Sequence, residues 1–455
     1  MIHRSFWRPA RRRTLLLGAV VGALASTHAT AAHATPAAPR FHATLLSSEP
    51  AKGSTVASSP ARIYLVFSEE VEPSLGAIRL VGPGGRVVQL KTTGDPRNVS
   101  ALLAPVPAPL AAGIWRVEWR IVSEDGHPID GDFTFTVGEA GSGSAALAPP
   151  AAAVGPEHDS LATGPRPVVV AEHEETAMEQ VPKLPAALRG LAVGLLTALV
   201  GLLWLLETRR DRARQPRAER LAARLSIGTA LLFAAHLVVW ALAVSPDRSL
   251  GGDQMVAMLV SRVGQVEVAR TVFAVLACWA LVLARRERIA LVLAVVAMLV
   301  SSATGHSAAI HPVWTVPARA LHLLAVAVWF GGLLWLLTLE RSSAAVVAAE
   351  AARVSSLALA GVIVVSITGV VQTKFFIGEW GEVVRSAYGA VVILKVVGLG
   401  VLALFGAHHK FRVLPRLAEA GVADGFSRTL RIEVLVLSLV ILVGGLLAYV
   451  PPPQH

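Results

Sequence analysis

Cysteine is almost missing from this chain. The one thiol in 455 residues, Cys278, lies inside an apolar run. That excludes an intramolecular disulfide and a thiolate metal cluster, and leaves nitrogen and oxygen as the donors for any bound metal. Methionine is absent from Phe41 to Gly138, so soft thioether donors are excluded from that stretch. Also missing are a glycine-rich phosphate loop followed by Lys and Ser or Thr, and the D-K-T-G segment of a phosphorylating pump. Nucleotide hydrolysis within the chain is therefore not expected. Charge is scarce: 16% of residues are charged and 54% are hydrophobic, too apolar for one soluble globule, so membrane spans are expected. The net charge of +10 does not point to nucleic acid, because the arginines are concentrated in short loops between apolar runs, the pattern of membrane orientation.

The chain opens with "MIHRSFWRPARRRTLLLGAVVGALASTHATAAHA", a basic start, an apolar run from Leu15 to Leu24, and small-residue cleavage options around Ala31 to Ala34. Residues 1–34 read as a secretory signal peptide, the run being shorter than a membrane anchor needs. From 41 to 138 the pattern changes to short strands of period two. Ile63, Leu65 and Phe67 share one face of "RIYLVFSE", and "AIRLVGPGGRVVQL" reads as a hairpin. Trp115, Val117, Trp119 and Ile121 alternate with Arg116, Glu118 and Arg120, and Phe133, Phe135 and Val137 alternate in "DFTFTV". An all-β antiparallel sandwich or barrel is expected. Residues 139–184, rich in Ala, Pro, Gly and acidic groups, read as a flexible linker in which His158 and His173 serve solvation.

Residues 185–453 read as an all-α transmembrane domain of eight spans: 186–206, 225–244, 268–284, 288–304, 317–339, 354–372, 388–407 and 431–450. The connections "ETRRDRARQPRAER", "RRER", "ERSSAAVVAAEAAR" and "HHKFRVLPRLAEAGVADGFSR" carry the cations and are expected on the cytoplasmic side. The first span then runs inward, which agrees with a secreted domain ahead of it.

In "SEDGHPIDGDFTF", Asp125 and His127 stand two apart around Gly126, so in extended chain both side chains approach one point. Oxygen plus imidazole suits Cu(II), or less selectively Zn(II) or Ni(II); the blander assignment is a turn cap and a surface histidine. The order "FHATLLSSEP", "VFSEE", "SEDGHPIDG" resembles the CopC family of periplasmic copper-binding proteins from end to end of 41–138. The resemblance implies a Greek-key β-barrel of immunoglobulin- or cupredoxin-like build that binds Cu(II), with His42, Asp125 and His127 as ligands. In the family the opening histidine is commonly the first residue after cleavage, and its amine also ligates. Here the cleavage options lie about ten residues upstream, and water or His33 is the alternative ligand.

Polar groups inside spans mark sites or packing contacts, because burying them in lipid is costly. His236, His322, Lys395 and Glu433 are such groups, with Lys395 and Glu433 a candidate pair. His306 and His311 fall in an outer loop beside His322, and His236 and His322 lie roughly 12 Å and roughly 8 Å from the outer helix ends at 1.5 Å per residue. The segments "ARALHLLAVAVWFGGLLWL", "RVSSLALAGVIVVSITGVVQ", "YGAVVILKVVGLGVLALFGAHHKFRVLP" and "RIEVLVLSLVILVGGLLAYVPP" resemble the CopD family of copper-associated inner-membrane proteins. By that resemblance His306, His311 and His322 are outer-side copper ligands, and the glycine pairs are helix contacts. The whole reads as a non-enzymatic copper importer in the inner membrane: the outer domain, with a periplasmic copper chaperone as a candidate donor, hands Cu(II) to the bundle. Two alternatives are a haem-bearing oxidoreductase with His236 and His322 as axial ligands, and a copper resistance or sensing protein that does not transport.

Overall fold

The computed structural model describes residues 43–123, 126, 128–138, 183–209, 215–245, 250–340, 342–417, 422–447 and 450. The signal peptide, linker residues 139–182, and His33, His42, Asp125, His127, His158 and His173 lie outside the described residues.

The β-domain is a two-sheet sandwich. One sheet has the order β1(Leu45–Glu49), β3(Arg62–Phe67), β7(Asn98–Pro105), β6(Thr93–Asp95), and the other β2(Thr55–Val56), β9(Pro128–Val137), β8(Gly113–Val122), β4(Ala77–Val81), β5(Val87–Leu90). Pairings are antiparallel except β2 with β9. Strict alternation fixes which face of each strand is buried, since a one-residue slip would turn every side chain over. Ile63, Leu65, Phe67, Trp115, Val117, Ile121 and Phe135 are all at most 1% exposed and meet in one core between the sheets. Phe67 stands edge-on to Trp119 at 5.2 Å between ring centroids, and the Trp115 Nε1–H donates to Ala111 O at 2.8 Å, so the indole's polar end is satisfied inside the core. The "GPGG" hairpin connects β4 and β5, with Gly84 at φ 71°.

The helical domain contains α1(Lys183–Thr208), α2(Pro216–Val244), α3(Gly252–Val260), α4(Arg262–Val282), α5(Glu287–Ser302), α6(His306–Ala309), α7(Pro312–Thr338), α8(Ala344–Ile377), α9(Ala387–His408) and α10(Val422–Leu446). Each of the eight expected spans falls on a helix. Six of the described helices are long and apolar enough to cross a membrane: α1, α2, α4, α7, α8 and α9 with the short turns that follow it. The fourth expected span, α5, has 16 residues, fewer than the about 20 that a span needs. The short helices α3 and α6 have no counterpart among the expected spans.

The central helix is α1. Its most apolar stretch is 67% buried against 6% for α9, and it packs on α2, α5, α7 and α10. Close approach is made by glycine. A Cβ on Gly331 of α7 would stand 2.5 Å from Gly201 Cα of α1, and one on Gly445 of α10 would stand 2.4 Å from Gly190 Cα. Both "FGGLLW" and "LVGGLL" are thus helix-packing elements, as their small residues predict. Leu394, Val396, Val397 and Leu404 on α9, with Ile363 and Ile367 on α8, remain exposed and form an apolar outer face.

Ion pairs join the helix ends at the arginine-rich connections. Arg288 pairs with Glu207, Arg209 with Glu350 at 3.3 Å, and Arg431 with Glu340 at 3.0 Å. The β-domain rests on the opposite ends.

Candidate functional site

The turn between β8 and β9 contains the Asp-Gly-His triplet. Within it Gly126 adopts φ 89°, a conformation that favours glycine, and its N–H donates to Ser123 O at 2.8 Å. Ser123, fully buried, bridges to Val71. Three residues before Val71, Ser68 exchanges bonds with Thr44: its Oγ accepts from the Thr44 N–H at 2.9 Å, and its N–H donates to Thr44 O at 2.9 Å. The chain just after His42 and the chain just before Asp125 are therefore anchored on one connection, residues 68–71.

Gly126 faces the bundle. The Trp240 Nε1–H of α2 donates to Gly126 O at 3.0 Å, and a Cβ on Gly126 would meet Val263 of α4 at 3.0 Å. Beside it the Arg120 guanidinium donates to Ser245 O at 3.1 Å, and the Arg262 N–H donates to a Glu72 carboxylate oxygen at 3.1 Å. An apolar cluster of Leu75 and Val122 with Trp240, Ala241, Val244 and Met258 closes the contact. Burial pushes the Glu72 carboxyl above its ordinary value, and the N–H groups of Arg262 and Val263 pull it part of the way back.

Between Glu70–Glu72 of the β-domain and the ends of α4 and α5 lies a cavity of about 60 Å³, whose wall includes Glu267. Behind it is a buried polar group of which the sequence reading named His236 alone. His236 Nδ1 accepts from Arg270 Nη2 at 2.7 Å and stands 3.3 Å from Glu267 Oε2, while Arg270 also pairs with Glu267 one turn away. All three are at most 3% exposed. The signal was present in "EVAR": an acid and an arginine three apart on an otherwise apolar helix share one face.

The structure does not bring the membrane histidines together, and no group of three His, Cys, Asp or Glu side chains that could hold a metal occurs among the described residues. His306 is buried, its Nε2 3.2 Å from Val450 O, edge-on to Phe376 and Tyr388. His311 is exposed at the N-terminal cap of α7 with φ 46° and leans on Phe375. His322 Nδ1 bonds Thr368 Oγ1 at 2.9 Å. These are three separate environments, because the loop around α6 turns His306 into an aromatic cluster and leaves His311 outside it.

Lys395 and Glu433 do not pair either. Lys395 Nζ lies beside Gly444, eleven residues beyond Glu433 and so roughly 16 Å further along α10. Glu433 Oε2 instead faces His409 Nδ1 at 3.1 Å, in a cavity of about 200 Å³ between α7, α8, α9 and α10.

Residues 45–138 match the CopC domain family, and residues 348–447 match the family described as Copper resistance protein D, CopD. The chain is a CopC–CopD fusion. It is similar along 91% of its length to the copper transport protein CutJ of Bacillus subtilis, at 24% identity and covering 75% of that protein. Over 105 residues the fusion is 38% identical to Copper resistance protein C of Pseudomonas syringae pv. tomato, covering 21% of the chain and 80% of the relative. A crystal structure of CopC from Methylosinus trichosporium OB3b is 32% identical over 21% of the chain and 94% of the solved one, with a TM-score of 0.20. The fusion is a copper-related membrane protein.

Proposed function

We propose that the fusion imports copper: the β-domain captures Cu(II) at His42, Asp125 and His127 and passes it to the bundle against which the Asp-Gly-His turn rests. The observation that carries this is the Trp240–Gly126 bond, which ties the middle residue of that triplet to a membrane helix. The convergence of the chain around residues 44 and 123 on Ser68–Val71 supports a shared ligand site. The donor set of imidazole nitrogen and carboxylate oxygen, without methionine, favours the cupric ion. Copper here is cargo, and no catalytic step is assigned.

Topology supports capture from outside. The arginine-rich connections are at the bundle ends away from the β-domain, which by the positive-inside rule supports a periplasmic or extracellular β-domain. A copper chaperone of that compartment is a fitting donor. His306, His311 and His322, held in separate environments, act in this reading as successive contacts along a path and not as one shared centre.

The test is copper content. Cells expressing His127→Ala are expected to accumulate several-fold less copper under limitation than cells expressing the parent chain at equal membrane abundance. Equal accumulation in the two strains sinks the capture role of the β-domain.

A further inference from the structure

The bundle buries a second histidine–glutamate pair that the outer machinery does not use. It is formed by His409, at the start of a π-helical turn (His409–Val413) that follows α9, and Glu433 of α10. His409 is 6% exposed between exposed His408 and Lys410, and Glu433 is 3% exposed. Irregular helical turns of this kind are frequent at functional sites.

The hydrogen bonds around His409 accommodate a neutral ring protonated at Nε2. The Thr429 hydroxyl donates to its own helix, to Phe426 O at 3.0 Å and Gly425 O at 3.2 Å. With its proton used in this way, its oxygen, 2.8 Å from His409 Nε2, is placed to accept an Nε2–H. In that tautomer the ring presents a bare Nδ1 lone pair to Glu433 Oε2 at 3.1 Å, two electron-rich atoms face to face. In a buried setting that arrangement calls for a positive charge between them, supplied by a proton on Nδ1 or by a metal ion in its place. His236 and Glu267 meet the same need with the guanidinium of Arg270. At Glu433 the described ion-pair partner is His409 itself, and among the described residues no arginine or lysine is paired with it.

We propose that His409 Nδ1 and Glu433 Oε2 form an exchangeable cupric site at the arginine-rich end of the bundle, with Thr429 as a positioning residue. The proposal rests on the copper-import reading and names the station from which the ion leaves. Nitrogen and oxygen ligands at about 2.0 to 2.2 Å and a cis angle near 90–100° stand about 2.8 to 3.3 Å apart, which brackets the separation found. The donor pair suits Cu(II), and the adjoining cavity of about 200 Å³ leaves room for water ligands. Two protein donors hold an ion weakly enough to let it go, which a transfer station requires and a storage site does not. Thr429 holds the ring through the nitrogen that does not ligate, the usual arrangement at metal-bound histidines.

The test uses the purified full chain, titrated with Cu(II) alone and followed by electron paramagnetic resonance. The His127→Ala chain is expected to retain a cupric signal coupled to one imidazole nitrogen, and Glu433→Gln added to it is expected to abolish that signal. A His127→Ala chain with no cupric signal, or one from which Glu433→Gln removes no bound ion, overturns the proposal. If His127→Ala removes nothing from the parent's copper stoichiometry while Glu433→Gln removes one ion, the outer assignment fails and this one stands. Thr429→Val, close in shape, is expected to weaken the inner site about 10- to 100-fold, and unchanged affinity contradicts the tautomer argument. Should the Gln variant fail to fold, Glu433→Asp, which keeps the charge and withdraws it, is expected to lower affinity at least tenfold; unchanged affinity again overturns the site.

Discussion

The two buried histidine–glutamate pairs sit near opposite ends of the bundle and differ by one side chain. Around His236 and Glu267, Arg270 bonds both partners, so three groups form a closed, charge-compensated unit with no vacancy for a cation. Around His409 and Glu433 the third member is a threonine, which orients the ring and adds no charge. The difference teaches that the same two residue types serve as a structural element or as a candidate ion site according to what neutralises the carboxylate.

The largest way to break this comparison is to remove the arginine. Arg270→Met leaves Glu267 buried and uncompensated, with an expected loss of about 3–5 kcal/mol measured as thermal unfolding in detergent, and Glu267→Gln in the same chain should restore most of it. Glu433→Gln, by contrast, should change unfolding by about 1 kcal/mol or less, because an amide can donate to the bare Nδ1. Comparable losses at the two ends would erase the distinction.

Smaller changes test the docked face. Trp240→Phe keeps the apolar packing and drops the bond to Gly126, an expected cost of about 1 kcal/mol, read as faster hydrogen exchange between residues 113 and 137 of the full chain. The smallest effect is at Glu72. Its carboxyl is raised by docking, so the docked form holds the proton more tightly than an undocked one; the contribution is complete below the ordinary value near 4.5 and is lost as pH rises through the raised value. Exchange in the same segment should speed up modestly above that range, and Glu72→Gln should flatten the trend.

Much of the architecture was legible in the sequence. The alternation around Trp115–Ile121 and Ile63–Phe67 assigned both core-facing strands, because period-two patterning and burial on one face are the same fact. The apolar runs located the helices, and the glycine pairs announced the close contacts. The buried polar groups were less legible. Glu267 lies just outside the expected span 268–284, although its helix continues back to Arg262. His409 was read as part of a basic connection, because a π turn departs from the 3.6-residue period and moves a residue off the face that regular phasing assigns. Lys395 and Glu433 looked like partners in composition, but their helices cross with the lysine level with Gly444.

The backbone contact of Gly201 with Gly331 carries a dynamic consequence. With no side chain between them, α1 and α7 have no compressible layer in which to slide, so they behave as a fixed mast. Any rocking that opens first one mouth of the bundle and then the other is expected in α9, the least buried of these helices, and spin labels there should report distance changes that labels on α1 and α7 do not.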